Sequence, residues 1–230
     1  MRKNIINKYL RLAKLYAKNG FSLYLVGGSA RDYILGRDTT DLDLATDALV
    51  EQSLVFLTSE YDVKTPFKKF GNVKFKIDDV SVDITTLRKE FEYDDYRHPT
   101  KIEFVNSTEL DAQRRDFTVN ALYLDHSLET IYDYFDGVSD LVAHRLRMVG
   151  DPIIKIKEDP LRLLRAVRFS LKLNFQIDEQ LSLVIKEFIP LLSKLNPEKV
   201  KEEILKMYDI SREKADILLE SYNIDYKQFL

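Results

Sequence analysis

The chain has 230 residues, of which 45% are hydrophobic and 32% are charged, and its formal net charge is −3 at pH 7. This composition is typical of a globular protein that folds in water, and it excludes a disordered chain and a global positive field that would attract nucleic acid. The absence of cysteine excludes disulfides, thiol nucleophiles and the usual zinc-finger and iron–sulfur ligand sets.

Strand and helix signals alternate in the N-terminal half. Apolar residues at helical spacing predict a first helix that ends at Asn19-Gly20. The predicted strands that follow are residues 22–26, 41–45, 73–77 and 80–86, with helices up to about Gly36 and over residues 47–58. The last two strands alternate apolar and polar residues around Asp78-Asp79, which is typical of an antiparallel hairpin. We therefore expect a mixed β-sheet flanked by helices.

Helix signals dominate beyond about residue 136. The predicted helices are residues 159–173, 178–195, 197–208 and 211–222. Between the two halves, residues 88–99 are rich in charge and tyrosine without any period, which predicts a mobile loop. We expect an α+β chain whose second part is all-helical. No apolar run is long enough to span a bilayer, so we also expect a cytoplasmic, unprocessed protein with no membrane partner.

Asp41 and Asp43 are the first candidate site. Residues two apart on a strand project from one face, so both carboxylates point the same way while Leu42 enters the core. Two adjacent anions repel unless a cation lies between them, and oxygen ligands of this kind suit Mg²⁺. Asp83, on the last predicted strand, is a possible third carboxylate. The alternative is a strand edge with solvated aspartates.

The segment Gly27-Gly28-Ser29-Ala30-Arg31-Asp32 follows a strand and opens a helix. Glycines allow backbone amides to approach a phosphate closely, and a helix N-terminus adds positive potential. A triphosphate could therefore bind beside the metal. Taken by itself, the segment is also consistent with a tight turn that Ser29 caps.

Residues 114–121, Arg-Arg-Asp-Phe-Thr-Val-Asn-Ala, form a third candidate. Arg115 can grip phosphate with two hydrogen bonds, and Asn120 offers a donor and an acceptor to a sugar hydroxyl. Asp116 is expected to orient arginines rather than to react. The alternative is an exposed helix with intrahelical ion pairs.

Residues 158–169 carry three arginines at intervals of three: Arg162, Arg165 and Arg168. Between residues 145 and 172 there are eight basic and three acidic residues. This stretch is therefore a local positive region that is expected to bind phosphate or RNA. A solvated basic stripe is the alternative. Asp159 precedes Pro160 and is also a good helix cap.

Four motifs in this order resemble class II tRNA nucleotidyltransferases and bacterial poly(A) polymerases. They span about residue 20 to about residue 205 and comprise residues 25–32 with 41–46, 114–121, 136–141 with 146–152, and 158–169. The resemblance implies a nucleotidyltransferase head with a mixed sheet, at residues 1–142, and an all-α neck, at residues 143–230. It implies that Asp41 and Asp43 bind catalytic Mg²⁺, and that Asp83 ligates metal or takes the proton of the primer 3′-hydroxyl.

The same resemblance implies which residues bind the nucleotide. Gly28 and Arg31 are expected to hold the triphosphate, while Asp159 and Arg162 select the base. Further nucleotide contacts are implied for three arginines: Arg115, Arg165 and Arg168. Cytosine and adenine both present an exocyclic amino donor beside a ring acceptor, which a carboxylate and a guanidinium can satisfy, whereas guanine and uracil invert that pattern.

The expected activity is therefore template-independent addition of CMP and/or AMP from CTP and ATP to a tRNA 3′ end, with Mg²⁺ and with release of pyrophosphate. An enzyme that adds only A, or a poly(A) polymerase acting on another RNA 3′ end, is the first alternative. A non-catalytic RNA- or nucleotide-binding module is the second. The family continues beyond the neck into regions that grip tRNA, so we expect the hold on tRNA here to be weak or to be supplied by a second copy or a partner subunit.

Overall fold

The computed structural model describes residues 2–93 and 99–230, and it forms two compact units. The first unit comprises Met1–Glu90, Ile102–Arg115 and Val119–Val138, and the second comprises Phe91–Lys101, Asp116–Thr118 and Ser139–Leu230. The chain therefore passes between the units several times, although most of the first unit precedes most of the second.

Helices and strands alternate at the start of the chain, as the sequence predicts, and four strands then follow one another before the next α-helix. The helices are α1 (Arg2–Lys18), α2 (Gly27–Ile34), α3 (Val50–Leu57) and α4 (Thr108–Gln113). The strands are β1 (Leu23–Val26), β2 (Asp41–Thr46), β3 (Asn72–Ile77), β4 (Val80–Thr86), β5 (Arg88–Tyr93), β6 (Pro99–Phe104), β7 (Leu122–Leu124) and β8 (Ile131–Asp133).

Six of these strands form the main sheet of the first unit, in the order β3-β4-β2-β1-β7-β8. Strands β2 and β4 run parallel, and the other neighbouring pairs run antiparallel. The predicted hairpin is present as β3 and β4, and it turns at Asp78, whose φ of +53° lies in the left-handed region that aspartate tolerates in tight turns. The expectation of a mixed sheet flanked by helices is confirmed.

The core of the first unit lies where α1 packs on the sheet. Tyr9, Leu12 and Tyr16 of α1 are completely buried. The Tyr9 hydroxyl donates to the carbonyl oxygens of Leu23 and Leu124, at 3.0 and 3.2 Å, which ties the helix to β1 and β7. Alternate residues of β2 also enter the core, so its other residues point to the opposite face of the sheet.

The prediction of a loop over residues 88–99 is wrong for the part that the structure describes. Strands β5 and β6 pair as a two-stranded sheet, and residues 94–98 lie outside the described residues. Two of the charges that obscured the strand are paired with each other: Arg88 contacts Glu90 at 2.6 Å, and Arg88 also donates to the carbonyl oxygen of Phe70 at 2.8 Å. Because ion pairing reduces the cost of burying charge, the charged composition did not indicate an open loop.

The second unit is predominantly helical, as expected. Its regular elements, with the short helix that leads into it, are α5 (Gly137–Val142), β9 (Arg145–Leu146), α6 (Pro152–Glu158), α7 (Leu161–Leu173), β10 (Gln176–Ile177), α8 (Glu179–Phe188) and α9 (Pro197–Ser221). The sequence did not predict β9 and β10, which pair in parallel over two residues each. In the described ranges, every helix is too short or too polar to cross a bilayer.

Side-chain caps set the helix starts of the second unit. Asp151, Asp178 and Asn196 each accept a hydrogen bond from the backbone amide two residues later, at 2.8, 3.1 and 2.9 Å. The two helices expected over residues 197–222 are confirmed, because α9 consists of two helical segments that meet at a break at Ser211, where φ is −169° and ψ is 114°. The break lies at the position where the second helix was expected to begin.

Candidate active site

The acidic residues of β2 lie on one face of the sheet, opposite the core. Leu42 and Leu44 are buried, whereas Asp41 is exposed and Asp43 is half-buried. In the parallel register of β2 and β4, Asp43 is the direct partner of Asp83. The structure therefore places Asp41, Asp43 and Asp83 on the same face, as the spacing predicts.

The carboxyl group of Asp43 lies in an unfavourable electrostatic environment. Burial raises its pKa, and the negative charges of Asp83 and Asp41 raise it further, while Arg115 and Arg31 oppose the rise. The net effect is a raised pKa, so the positive charges of Arg115 and Arg31 do not fully compensate the burial of Asp43 and the neighbouring carboxylates. A divalent cation beside Asp43 would supply the missing compensation.

Two glycines let the backbone approach the Asp43 carboxylate closely. A Cβ atom at Gly28 would lie 3.3 Å from Asp43 Oδ2 and 3.5 Å from Arg31 Nη2. A Cβ at Gly27 would lie 3.6 Å from both Asp43 Oδ2 and Arg115 Nη1, and Gly27 also has a φ of +59°, which disfavours other residues. The missing side chains form a cradle bordered by one carboxylate and two guanidinium groups, which suits a metal–triphosphate complex.

Helix α2 begins at this cradle. Residue Val26, which precedes α2, gives no side-chain cap, and the first amide groups of any α-helix have no acceptor within the helix. These amides and the helix dipole favour an anion at the start of α2. The placement agrees with the expectation that the Gly-Gly-Ser segment opens a helix after a strand.

Ser29 fastens α2 to β2, rather than capping the helix. Its buried hydroxyl donates to the carbonyl oxygen of Asp41 at 3.0 Å and accepts from the backbone amide of Asp43 at 2.9 Å. These two bonds fix the backbone on both sides of Leu42. Ser29 thus positions the two aspartates relative to the glycine cradle.

Arg31 is almost completely buried, with 1% of its surface exposed. Its guanidinium donates to both carboxylate oxygens of Asp32, at 2.9 and 3.0 Å, and to Asn120 Oδ1 at 2.6 Å. Asn120 therefore orients Arg31 through its carbonyl oxygen. The expected contact of Asn120 with a sugar hydroxyl stays a prediction.

A buried carboxylate that the sequence analysis missed holds Arg115. Asp111 is completely buried and accepts from Arg115 at 3.1 Å, from Arg114 at 2.9 Å and from the Tyr123 hydroxyl at 2.5 Å. Burial alone would raise the pKa of Asp111, but the charges of Arg114 and Arg115 outweigh it and hold the pKa well below the usual range. The spacing of three and four residues between Asp111 and the arginines was the available signal.

Arg114 and Arg115 follow a helix instead of opening one. Helix α4 ends at Gln113, and the chain then makes a short 3₁₀ turn over Thr118–Asn120. The alternative of an exposed helix over residues 114–121 is therefore wrong. The change of backbone direction explains how Arg115 and Asn120 reach different partners in the first unit.

Lys74 and Asn72 of β3 hold Asp83, and neither was a sequence-based candidate. Lys74 Nζ lies 2.7 Å from Asp83 Oδ2, and the Asn72 side-chain amide donates to Oδ1. In the ranges that the structure describes, no three acidic or histidine side chains are grouped closely enough to hold a metal ion. The residues present fit a metal that takes two protein carboxylates and completes its shell with phosphate oxygens and water.

The remaining candidates belong to the second unit, where each of the three candidate arginines has a carboxylate partner. Arg162 donates to Glu158 at 2.8 Å, Arg165 to Asp116 at 3.0 Å, and Arg168 to Glu203 at 2.6 Å. Asp116 thus orients an arginine, as expected. The repulsion between the three arginines, which suggested an external anion, is relieved within the chain, and nucleotide contacts by them stay a prediction.

The two residues expected to select the base stand at the start of α7. Asp159 Oδ1 accepts from the backbone amide of Leu161 at 3.0 Å, so Asp159 caps the first turn of α7 as its spacing suggested. Arg162 is buried, and its Nη1 also donates to the carbonyl oxygen of Lys155 at 2.7 Å. Fixed backbone and side-chain partners therefore orient both residues.

Comparison with known proteins shows which family the chain resembles in sequence and structure. Residues 23–147 match the family model described as the poly A polymerase head domain. The CCA-adding enzyme of Enterococcus faecalis is 41% identical over 188 residues, which are 82% of this chain and 45% of that enzyme. The Bacillus stearothermophilus CCA-adding enzyme in complex with CTP superposes with a TM-score of 0.85 at 30% identity, over 96% of this chain and 53% of that one.

A further solved structure is that of a tRNA nucleotidyltransferase complexed with a primer tRNA and an incoming ATP analog. It matches with a TM-score of 0.74 at 28% identity, over 94% of this chain and 60% of that one. The chain spans about half the length of the curated relatives it matches. The family match over residues 23–147 covers the glycine cradle and the paired aspartates of this chain.

Proposed function

Because the chain belongs to the family of the poly A polymerase head domain, as its motifs predicted, we propose that it is a template-independent tRNA nucleotidyltransferase. It would add CMP and/or AMP, from CTP and ATP, to a tRNA 3′ end and release pyrophosphate. The observation that carries the proposal is the pair Asp41 and Asp43, held by Ser29 beside the cradle of Gly27 and Gly28.

Asp41 and Asp43 would hold Mg²⁺ in this proposal. The raised pKa of Asp43 and the close approach of the Gly27 and Gly28 backbone to its carboxylate support that assignment. When bound, the metal offsets negative charge on the entering and leaving oxygens of a phosphoryl transfer. Asp83 stands opposite Asp43 on the same face and would act next to the primer 3′-hydroxyl.

The glycine cradle and Arg31 would bind the triphosphate. Gly28 allows the phosphates to approach the first amides of α2, and Arg31, oriented by Asp32 and Asn120, supplies positive charge at its edge. Arg115, fixed by Asp111, borders the same cradle and would contact the nucleotide. Each cation is held in place before substrate arrives, which reduces the entropy lost on binding.

The second unit would select the base and contact RNA. Asp159 and Arg162 would pair with the donor and acceptor shared by cytosine and adenine, and guanine or uracil would leave a buried group unpaired, at a cost of about 1–3 kcal/mol per group. Further nucleotide contacts would come from Asp116, Arg165 and Arg168. We assign residues 1–142 to catalysis and residues 143–230 to nucleotide selection, in a cytoplasmic protein whose oligomeric state stays a prediction.

The decisive experiment incubates tRNA that lacks its 3′ terminus with Mg²⁺ and each labelled nucleoside triphosphate, followed by sequencing of the RNA ends. We expect incorporation from CTP and ATP and none from GTP or UTP. Incorporation from ATP alone would refute CCA addition and indicate an enzyme that adds only A or a poly(A) polymerase. A chain that binds nucleotide without extending RNA would refute the enzymatic proposal, and Asp43→Asn is the control for contaminating activity.

A further inference from the structure

Asp83 is held by two donors from the neighbouring strand β3. Lys74 is its direct cross-strand partner and lies 2.7 Å from Oδ2, and the side-chain amide of Asn72 donates to Oδ1. Asn72 and Lys74 are two residues apart on β3, so both project from the same face of the sheet. Each carboxylate oxygen of Asp83 therefore has a donor that the strand register supplies.

The orientation of the Asn72 amide supports this assignment. Asn72 is buried, and its Oδ1 has no hydrogen-bond partner within the part of the chain that the structure describes. Reversing the amide would place its oxygen against the oxygen of Asp83, and two acceptors in contact repel. The orientation that leaves one buried acceptor unpaired is thus the one that places a donor on Asp83.

Lys74, Asp83 and Asp43 form one row across three neighbouring strands, β3, β4 and β2. Asp83 lies near enough to Asp43 to act on it electrostatically. Asp41, Asp43 and Asp83 are nevertheless not grouped as a three-carboxylate metal site in the described ranges. The row therefore ends in an internal ion pair between Lys74 and Asp83, and Asp43 is the member of the row that borders the glycine cradle.

We propose that Lys74 is a positioning residue that, together with Asn72, withholds Asp83 from the metal and limits the metal site to Asp41 and Asp43. The proposal rests on the function proposed above and specifies its metal site. A site with two carboxylates binds a free divalent ion more weakly than a site with three, so phosphate oxygens of the nucleotide contribute a larger share of the ligands. Asp83 then remains beside the site as a charge that Lys74 balances.

Mn²⁺ binding to the full chain without nucleotide tests the proposal, with free Mn²⁺ measured by electron paramagnetic resonance. Lys74→Met removes the ammonium group and frees an oxygen of Asp83, so we expect the dissociation constant for Mn²⁺ to fall roughly tenfold. Adding Asp83→Asn to Lys74→Met should restore the wild-type value. Asp83→Asn alone should change it by less than about threefold, whereas Asp43→Asn should raise it more than about tenfold.

Lys76→Met is the matched control. Lys76 lies two residues further along β3, on the same face and opposite Ser81, so this variant removes the same charge without touching Asp83. If Lys74→Met binds Mn²⁺ no more tightly than Lys76→Met, or if Asp83→Asn alone weakens binding as much as Asp43→Asn, the proposal is wrong. Thermal unfolding checks that each variant folds, and Lys74→Gln is a second variant for the same comparison.

The two proposals fail by different measurements. If neither the wild-type chain nor Lys74→Met binds Mn²⁺, the role of Lys74 is refuted. The nucleotidyltransferase proposal is refuted only if tRNA lacking its terminus is not extended. A chain that extends tRNA but shows no coupling between Lys74 and Asp83 in Mn²⁺ binding would retain the function and lose the inference.

Discussion

Replacing Gly28 by alanine separates the function of the glycine cradle from its contribution to stability. Gly28 is the second residue of α2, and its φ is not in the left-handed region, so the backbone there is one that alanine adopts. The added methyl would lie 3.3 Å from Asp43 Oδ2 and 3.5 Å from Arg31 Nη2. The first distance is tighter than an ordinary van der Waals contact, so the Asp43 carboxylate must shift.

The structure gives opposite expectations for stability and for activity. Alanine is more favourable than glycine in a helix by up to about 1 kcal/mol, which offsets the close contact, so the free energy of unfolding should change by less than about 1 kcal/mol. For a chain of this length that corresponds to a shift in Tm of no more than about 4 °C. The methyl occupies the space between the carboxylate and the guanidinium, however, so we expect kcat/KM for CTP to fall about 100-fold.

The assay measures CMP incorporation into tRNA lacking its terminus, alongside thermal unfolding of the same preparations. Gly20→Ala is the matched control, because Gly20 has a φ of +83° and nothing within 4 Å of the added Cβ. That variant should lose about 1–2 kcal/mol of stability and keep wild-type kinetics below its Tm. If Gly28→Ala retained the wild-type kcat/KM for CTP, nucleotide binding at the cradle would be refuted.

Two further predictions concern buried carboxylates. Because burial and the charge of Asp83 raise the pKa of Asp43, ionisation of Asp43 destabilises the fold as the pH rises above the usual aspartate range. Asp43→Asn should therefore be at least as stable as wild type at pH 7, and the difference in the free energy of unfolding between the two proteins should vanish in acid. The same variant should abolish nucleotide incorporation. Asp111 has a lowered pKa, so its contribution is present at neutral pH and lost as the pH falls below the usual aspartate range. Asp111→Asn should lower the free energy of unfolding at pH 7 by about 3–5 kcal/mol, and denaturant titration at several pH values would contradict this if the loss were independent of pH.

The sequence pattern alone predicted the structure correctly where a side chain's direction depends only on its neighbours along the chain. Alternation along β2 placed Asp41 and Asp43 on one face, and the hairpin of β3 and β4 followed from two alternating runs around Asp78. The period of side-chain direction is a property of the strand itself, so it needs no tertiary information. The same reasoning failed over residues 88–93, where the charged composition obscured the strand, although Arg88 pairs with Glu90 within it and donates to the carbonyl oxygen of Phe70.

The sequence pattern could not predict strand pairs or ion pairs between residues that are distant in sequence. The parallel pairing of β2 with β4 brings Asp83 opposite Asp43, and the pairing of β3 with β4 brings Lys74 to Asp83. Glu203 neutralises Arg168 across 35 positions of the chain. An arginine stripe that reads as an unpaired basic surface in the sequence is, in the folded unit, a set of ion pairs.

The sequence by itself determined the alternation of elements, the shared face of the paired aspartates and the glycines that keep a helix start open, because periodicity and backbone freedom are local properties. Only the tertiary structure decided which distant charges balance each other: Asp116 for Arg165, Glu203 for Arg168 and Lys74 for Asp83. Electrostatic energies depend on distance in space and on burial, and strand register and helix packing set both.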